Sequence, residues 1–183
     1  MEFTRTSLED CLIIEPSIIR DDRGYFMESF HEQHFREQTG IDVHFVQDNQ
    51  SFSSKNVIRG LHYQKGTHSQ AKLVRVITGS VLDVAVDIRP GSQTYGQYVS
   101  AVLSAENMRQ MFVPRGFAHG FVVLEDDTTF FYKCDNYYKR ESECGIRYND
   151  PQINIDWQVA GDDLQTSEKD RLLPFLDQSV KVW

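Results

Sequence analysis

Lys72-Leu73-Val74-Arg75-Val76-Ile77, then Thr78-Gly79-Ser80, then Val81-Leu82-Asp83-Val84-Ala85-Val86-Asp87-Ile88-Arg89 is the stretch whose reading decides the fold. Leu82, Val84, Val86 and Ile88 alternate with Asp83, Ala85 and Asp87, the period of two that belongs to an extended strand. An apolar run before it and a glycine between the two predict a β-hairpin.

Working outward, runs rich in Val, Ile, Phe and Tyr and bounded by Gly, Pro, Asn, Asp and Ser predict further strands. They fall at Val43 to Gln47, Val57 to Gln64, Tyr98 to Leu103, Met111 to Val113, Gly116 to Leu124 and Thr128 to Asp135. So many short strands imply an all-β sandwich or barrel. Helical signal is confined to the ends. His31 to Thr39 is closed by Gly40 as a C-terminal cap. Ser167 to Phe175 opens on Ser167-x-x-Asp170, which resembles a capping box, and Pro174 keeps it short. No linker, repeat or low-complexity tract interrupts the chain. The expectation is one domain over 1–183, with a barrel core at about 43–157 and a helical segment at about 162–176.

The composition narrows the function. The 183 residues are 40% hydrophobic and 25% charged, as in an ordinary folded domain. A net charge of −8 disfavours non-specific binding to nucleic acid or an anionic membrane surface. An anionic ligand therefore needs a local basic cluster. Cys11, Cys134 and Cys144 are odd in number and lack C-x-x-C spacing, so neither a disulfide framework nor a zinc ribbon is indicated and reduced thiols in a cytoplasm are expected. The apolar run Cys11-Leu12-Ile13-Ile14 is too short for a signal peptide, and no stretch approaches the roughly 20 apolar residues of a membrane span.

Several strands carry polar residues where a small barrel needs apolar ones. Alternation puts His119 on one face with Phe117, Phe121 and Val123, and Tyr132 with Phe130 and Cys134. Arg59, His62 and Gln64 fall within seven residues, and Lys72 opens the following strand. A lone histidine or tyrosine on a strand is commonly a hydrogen-bonded core residue. Arg59, His62, Lys72, His119 and Tyr132 converging on one interior need a ligand, water or one another, and a barrel mouth is a favoured ligand site. Strict alternation puts Arg59 and His62 on opposite faces. Either Gly60 marks a bulge that changes the phase, or Arg59 reaches round the rim.

Two strand histidines invite a metal, but third and fourth ligands are missing: His62 is followed by Tyr63-Gln64, and Lys72 stands where a glutamate is wanted. An ammonium beside a metal is electrostatically unfavourable, so no metal site is expected. His31, His34, His44 and His68 have no motif around them and receive no role.

Taken together, eight segments resemble one family, the dTDP-4-dehydrorhamnose 3,5-epimerases. They are Phe45-Val46-Gln47-Asp48-Asn49-Gln50-Ser51, Arg59-Gly60-Leu61-His62-Tyr63-Gln64, Lys72-Leu73-Val74-Arg75-Val76, Asp83 to Arg89, Pro114 to Phe121, Tyr132-Lys133 with Tyr137-Tyr138, Asn149-Asp150-Pro151 and Ser167-Glu168-Lys169-Asp170. The match runs in order from about Ile14 to Pro174. The loop Lys65 to Ala71 is less typical of the family.

The resemblance implies a cupin-type jelly roll, a homodimer with exchange of N-terminal segments, and a dTDP-4-keto-6-deoxyhexose substrate handled without metal or cofactor. It implies His62 as general base, Asp170 as the carboxylate orienting it, Tyr132 as general acid and Lys72 as the cation at the keto oxygen. It implies Arg23, Glu28, Gln47, Asn49, Arg59, His119, Tyr138, Glu143 and Lys169 around the nucleotide sugar. N-terminal exchange allows Arg23 and Glu28 to act from the partner subunit.

These residue types suit the implied chemistry. Epimerising a carbon beside a ketone means removing a proton from one face and returning one to the other. A base alone contributes about 10²- to 10⁴-fold, so the enolate also needs a cation, and losing such a group costs about 2.7 to 4 kcal/mol. Histidine, with an ordinary pKa of about 6.5, suits proton abstraction. Asp170 has an alternative role in capping a helix with Ser167. A neutral phenol suits reprotonation, Tyr132 first and Tyr138 as its nearest competitor. Arg59 and Arg23 supply guanidinium for the diphosphate. The open alternatives are an epimerase restricted to C3 or C5 of a related sugar and a non-catalytic nucleotide-sugar-binding barrel.

Overall fold

Gly79 stands at the corner of the barrel, with φ of 75°, a left-handed conformation that glycine adopts without penalty. A Cβ there would meet Thr128 Oγ1 at 2.1 Å. The computed structural model, which describes residues 1–183, has thirteen strands in chain order. They are β1 (Glu2–Arg5), β2 (Leu12–Glu15), β3 (Ile18–Asp21), β4 (Gly24–Met27), β5 (Gln47–Ser53), β6 (Ile58–Gln64), β7 (Lys72–Thr78), β8 (Ser80–Asp87), β9 (Tyr98–Ser104), β10 (Gln110–Val113), β11 (Phe117–Val123), β12 (Thr128–Cys134) and β13 (Glu143–Gly145). Two short α-helices, α1 (Glu32–Thr39) and α2 (Glu168–Arg171), complete it with a few 3₁₀ turns.

The strands form a six-stranded sheet ordered β1-β2-β10-β7-β12-β5, facing a five-stranded sheet ordered β13-β6-β11-β8-β9. The β3–β4 hairpin stands apart as its own two-stranded ribbon. This is a β-sandwich, as the strand pattern predicts, and of the cupin type that the resemblance implies.

The expected hairpin at Lys72 to Arg89 does not form. β7 pairs with β10 and β12, whereas β8 pairs with β11 and β9 in the other sheet. A glycine turn serves a hairpin or a corner equally well; here the corner carbonyls, Gly79 O and Ser80 O, accept from Ala105 and Leu124 N–H groups.

Apolar side chains fill three layers. Val74, Val76, Val81, Ala85, Met111, Val113, Phe117, Phe121 and Phe130 meet between the sheets. Leu82, Val84 and Val86 point the other way, against Ile146, Ile153, Trp157, Leu176 and Val182 of the C-terminal segment. Leu12, Ile14, Leu73 and Phe112 back the six-stranded sheet against Phe35 of α1. Both faces of β8 are thus covered, and all eight of its residues are buried.

Other boundaries differ from expectation. Val43 to Val46 is not a strand: Val43 is committed to the layer under α1, and pairing begins only where Gln47 meets Cys134. The six-stranded sheet also extends below the expected core limit of 43, since β1 and β2 belong to it. Their four-residue length gave no periodicity to read. Helix α1 matches, with Gly40 as a left-handed cap, but α2 stops at Arg171, well before Phe175.

Candidate active site

Polar β5 builds one wall. Its sequence Gln47-Asp48-Asn49-Gln50-Ser51-Phe52-Ser53 alternates so that Gln47, Asn49, Ser51 and Ser53 are the more buried set while Phe52 is 61% exposed. Opposite, β6 carries Arg59 and His62. The register of β6 against β11 pairs His62 with His119 but Arg59 with Phe121. The three-residue step on β6 against two on β11 is an extra residue, a bulge at Gly60. A Cβ on Gly60 would meet Gly120 Cα at 2.6 Å and His119 O at 2.7 Å, and φ is 119°. The bulge turns Arg59 and His62 to the same cavity, settling the conflict in strict alternation.

That cavity, about 660 Å³, is lined by Arg59, His62, Lys72, His119, Tyr132 and Asp170 among others. A second chamber of about 220 Å³ is lined by Gln47, Asn49, Gln70, Tyr138 and Glu143, and shares His62, Lys72 and Tyr132 with the first. These three side chains therefore stand at the waist between the chambers. His62 comes from the five-stranded sheet; Lys72 and Tyr132 come from β7 and β12 of the six-stranded sheet. An imidazole and a phenol approach from opposite walls.

His62 Nε2 lies 2.8 Å from Asp170 Oδ1. A carboxylate only accepts, so Nε2 carries the proton and Nδ1 is left as the free base. Asp170 Oδ2 accepts from the Gly60 N–H at 3.2 Å, which ties the orienting carboxylate to the bulge. Burial works to raise the Asp170 carboxyl, but the bonds from His62, Gly60 and Ser167 outweigh it and hold it below the ordinary carboxylate range. The capping role is met by the backbone instead: Ser167 Oγ accepts from Asp170 N–H at 3.1 Å, leaving the carboxylate to His62 and the Gly60 N–H. The expected capping box is thus only half formed.

Burial pushes the Tyr132 phenol up to about 12, so it stays protonated across the physiological range. Lys72 Nζ sits 5.8 Å from the centre of the Tyr132 ring. Burial lowers the Lys72 ammonium below the ordinary lysine range, while nearby Cys134, Asp83 and Glu143 oppose that. Arg59 donates to Ser53 Oγ from Nε at 3.1 Å and Nη2 at 3.0 Å. Glu143 accepts from Lys169 Nζ at 2.7 Å and from Tyr138 O–H at 3.0 Å. Gln47 accepts from the Tyr138 N–H at 3.0 Å and donates to Asn49 Oδ1 at 3.0 Å. His119 is buried, stacked near Phe130, with Nε2 2.9 Å from Asp83 Oδ1.

The structure therefore gathers His62, Lys72, Tyr132, Asp170, Gln47, Asn49, Arg59, His119, Tyr138, Glu143 and Lys169. Arg23 and Glu28 are elsewhere. Arg23 lies in the turn of the β3–β4 hairpin, 90% exposed and paired with Asp21, and Glu28 follows β4 beside His34; neither lines either chamber. Sequence reasoning missed Ser51, Gln165, Thr166 and Arg171 on the rim and Asp83 behind His119. The alternation of Ser51 and Ser53 with Phe52, and an acid amid Leu82 and Val84, were the available signals. Among the described residues no group of three or more His, Cys, Asp or Glu could hold a metal ion, and no helix is long and apolar enough to cross a membrane.

The family profile described as dTDP-4-dehydrorhamnose 3,5-epimerase matches residues 5–178. A protein of that name from Escherichia coli K12 is 52% identical over 183 residues, covering 100% of this chain and 98% of its own. The crystal structure of dTDP-4-dehydrorhamnose 3,5-epimerase from Elizabethkingia anophelis superposes with a TM-score of 0.95 at 52% identity, over 98% of this chain and 99% of that one. A dTDP-6-deoxy-D-glucose-3,5-epimerase from Legionella pneumophila, in complex with dTDP-4-keto-L-rhamnose, gives 0.93 at 50% identity, over 97% and 93%. With its profile match, its high-identity relatives and its jelly-roll cavity in agreement, the chain belongs to the dTDP-4-dehydrorhamnose 3,5-epimerase family of isomerases.

Proposed function

We propose that the chain converts dTDP-4-dehydro-6-deoxy-D-glucose to dTDP-4-dehydro-L-rhamnose by inverting C3 and C5 beside the C4 ketone. The observation that carries this is the waist: a carboxylate-oriented imidazole facing a protonated phenol, with an ammonium between the chambers. His62 Nδ1 removes the C–H proton, and the bonding pair moves onto the keto oxygen as an enolate. Lys72 stabilises that oxyanion. Tyr132 donates its proton to the opposite face of the planar carbon, and solvent restores the proton on the phenol and takes the one on His62. The same cycle at the second carbon completes the reaction. Arg59 and Lys169 supply the positive charge for the diphosphate, and Gln47, Asn49 and Tyr138 suit the polar and aromatic parts of the nucleotide sugar.

The full site is formed by a homodimer whose β3–β4 hairpins are exchanged, bringing Arg23 and Glu28 to the partner's cavity. Supporting this, the hairpin displays Ile19, Tyr25 and Phe26 at 66%, 55% and 68% exposure, an apolar surface suited to covering by another chain. The chain acts as a single epimerase domain in a reducing cytoplasm, in keeping with its three free cysteines.

Incubation with substrate in deuterated water tests the reaction. Two deuterons per product sugar are expected; one marks a single-carbon epimerase, and none at either carbon overturns the proposal.

A further inference from the structure

Ser53 is the last residue of β5 and is 6% exposed. It lines neither chamber. Arg59, the second residue of β6, belongs to the facing sheet and is exposed along the wall of the larger cavity. The chain between them crosses from one sheet to the other. Its backbone is held by the C-terminal segment: the Gln165 N–H donates to Asn56 O and the Ile58 N–H to Gln165 O, both at 2.9 Å. The root of the Arg59 side chain is therefore fixed, and what remains is where its long stem places the guanidinium.

Ser53 Oγ accepts from Arg59 Nε at 3.1 Å and from Nη2 at 3.0 Å. A serine oxygen has two lone pairs, and one guanidinium takes both. Of the five N–H bonds of the arginine fork, the two on its inner edge are spent on Ser53. Two on Nη1 and one on Nη2 remain, and this outer edge has the geometry that pairs with two phosphate oxygens at once. Ser53 is the only side-chain partner of Arg59 among the described residues, so the guanidinium is oriented by a neutral group and its charge stays available. A long side chain that is free before binding loses rotamer freedom when a ligand captures it, whereas one already held does not.

We propose that Ser53 is a positioning residue for substrate binding: it clamps the inner edge of Arg59 so that the outer edge faces the diphosphate before the nucleotide sugar arrives. The inference rests on the role given above to Arg59 as a partner of the diphosphate.

The experiment is a double-mutant cycle in which dTDP binding is measured by calorimetry on wild type, Ser53→Ala, Arg59→Ala and the double variant. Ser53→Ala should weaken dTDP by about 3- to 10-fold and leave the affinity for thymidine, followed by NMR titration, unchanged. In turnover, KM should rise by a similar factor while kcat stays within about twofold, since the diphosphate is remote from C3 and C5. On the Arg59→Ala background no guanidinium is left to hold, so removing Ser53 should cause no further loss. A serine that merely supports the cavity wall would weaken binding equally on both backgrounds. Ser53→Cys keeps a similar volume with a weak acceptor and should reproduce the alanine result, which provides the answer should the alanine variant fail to fold. Unchanged dTDP affinity in Ser53→Ala, or equal losses with and without Arg59, overturns the proposal. Unchanged dTDP affinity in Arg59→Ala would instead remove the diphosphate role of that arginine and the positioning role with it. Failure of wild type to exchange deuterium would sink the epimerase reading and leave the binding cycle interpretable on its own.

Discussion

His62 Nε2 and Asp170 Oδ1 meet at 2.8 Å across 108 positions of sequence. The pair joins β6, an inner strand of the five-stranded sheet, to a four-residue helix near the C-terminus, and the second carboxylate oxygen is bound to the Gly60 N–H of the bulge. Orientation of the base thus depends on a segment outside the sheets.

Asp170→Asn removes the carboxylate charge and sets against His62 an amide that can donate as well as accept, so the imidazole tautomer is no longer fixed. Turnover should fall by about 10²- to 10⁴-fold, with dTDP affinity nearly unchanged by calorimetry. Retained turnover would show that the imidazole needs no orienting carboxylate.

Tyr132→Phe separates abstraction from inversion. His62 can still remove a proton and return one to the same face, so deuterium enters the recovered substrate while epimerised product falls by about 10²-fold or more. The NMR of sugar recovered from deuterated water distinguishes the two outcomes. Loss of exchange together with inversion would place the phenol in the abstraction step.

Gly60→Ala puts a methyl group against the backbone of Gly120 and His119 at under 3 Å. Neither is the end of a flexible side chain. Destabilisation of about 1 to 3 kcal/mol or more is expected in urea unfolding, with loss of activity beyond the loss of folded protein because Arg59 and His62 change phase.

Asp87 gives the acid dependence of stability. Burial works to raise its carboxyl, but Arg89, Ser92 and Thr94 outweigh it and hold it at about 2. The unfolded value is about 3.9, so this stabilisation is fully present above about pH 4 and is lost as pH falls toward 2. Asp87→Asn should lower unfolding free energy at pH 7 by roughly 2 kcal/mol and flatten the acid side of the stability curve.

Arm exchange predicts complementation. Arg23→Ala and His62→Ala should each be impaired alone, whereas a refolded mixture regains activity at sites that combine an intact His62 with a partner's intact arm. A mixture no better than its components would place Arg23 in its own subunit's site.

Local sequence carried much of this site because alternation on a strand is a local property. His119 and Tyr132 were readable as inward polar residues from their apolar neighbours, and Gly60 as a bulge from the mismatch between Arg59 and His62. Strand pairing was not legible: Thr78-Gly79-Ser80 satisfies a hairpin and a sheet-crossing corner alike, and only the partners contributed by β9, β11 and β12 decide between them. Asp83 escaped notice because an acid within an alternating strand reads as solvent-facing until a C-terminal segment is known to cover the opposite, apolar face.

That covering has a further consequence. Leu82, Val84 and Val86 are anchored on the outside of their sheet by Ile146, Ile153, Trp157 and Leu176, so the apolar layer between the sheets carries only part of the cohesion. The open end of the lumen is thereby released to hold acids, bases and amides, and its contents can be exchanged for other chemistries while the outer packing and the inner apolar layer keep the scaffold upright.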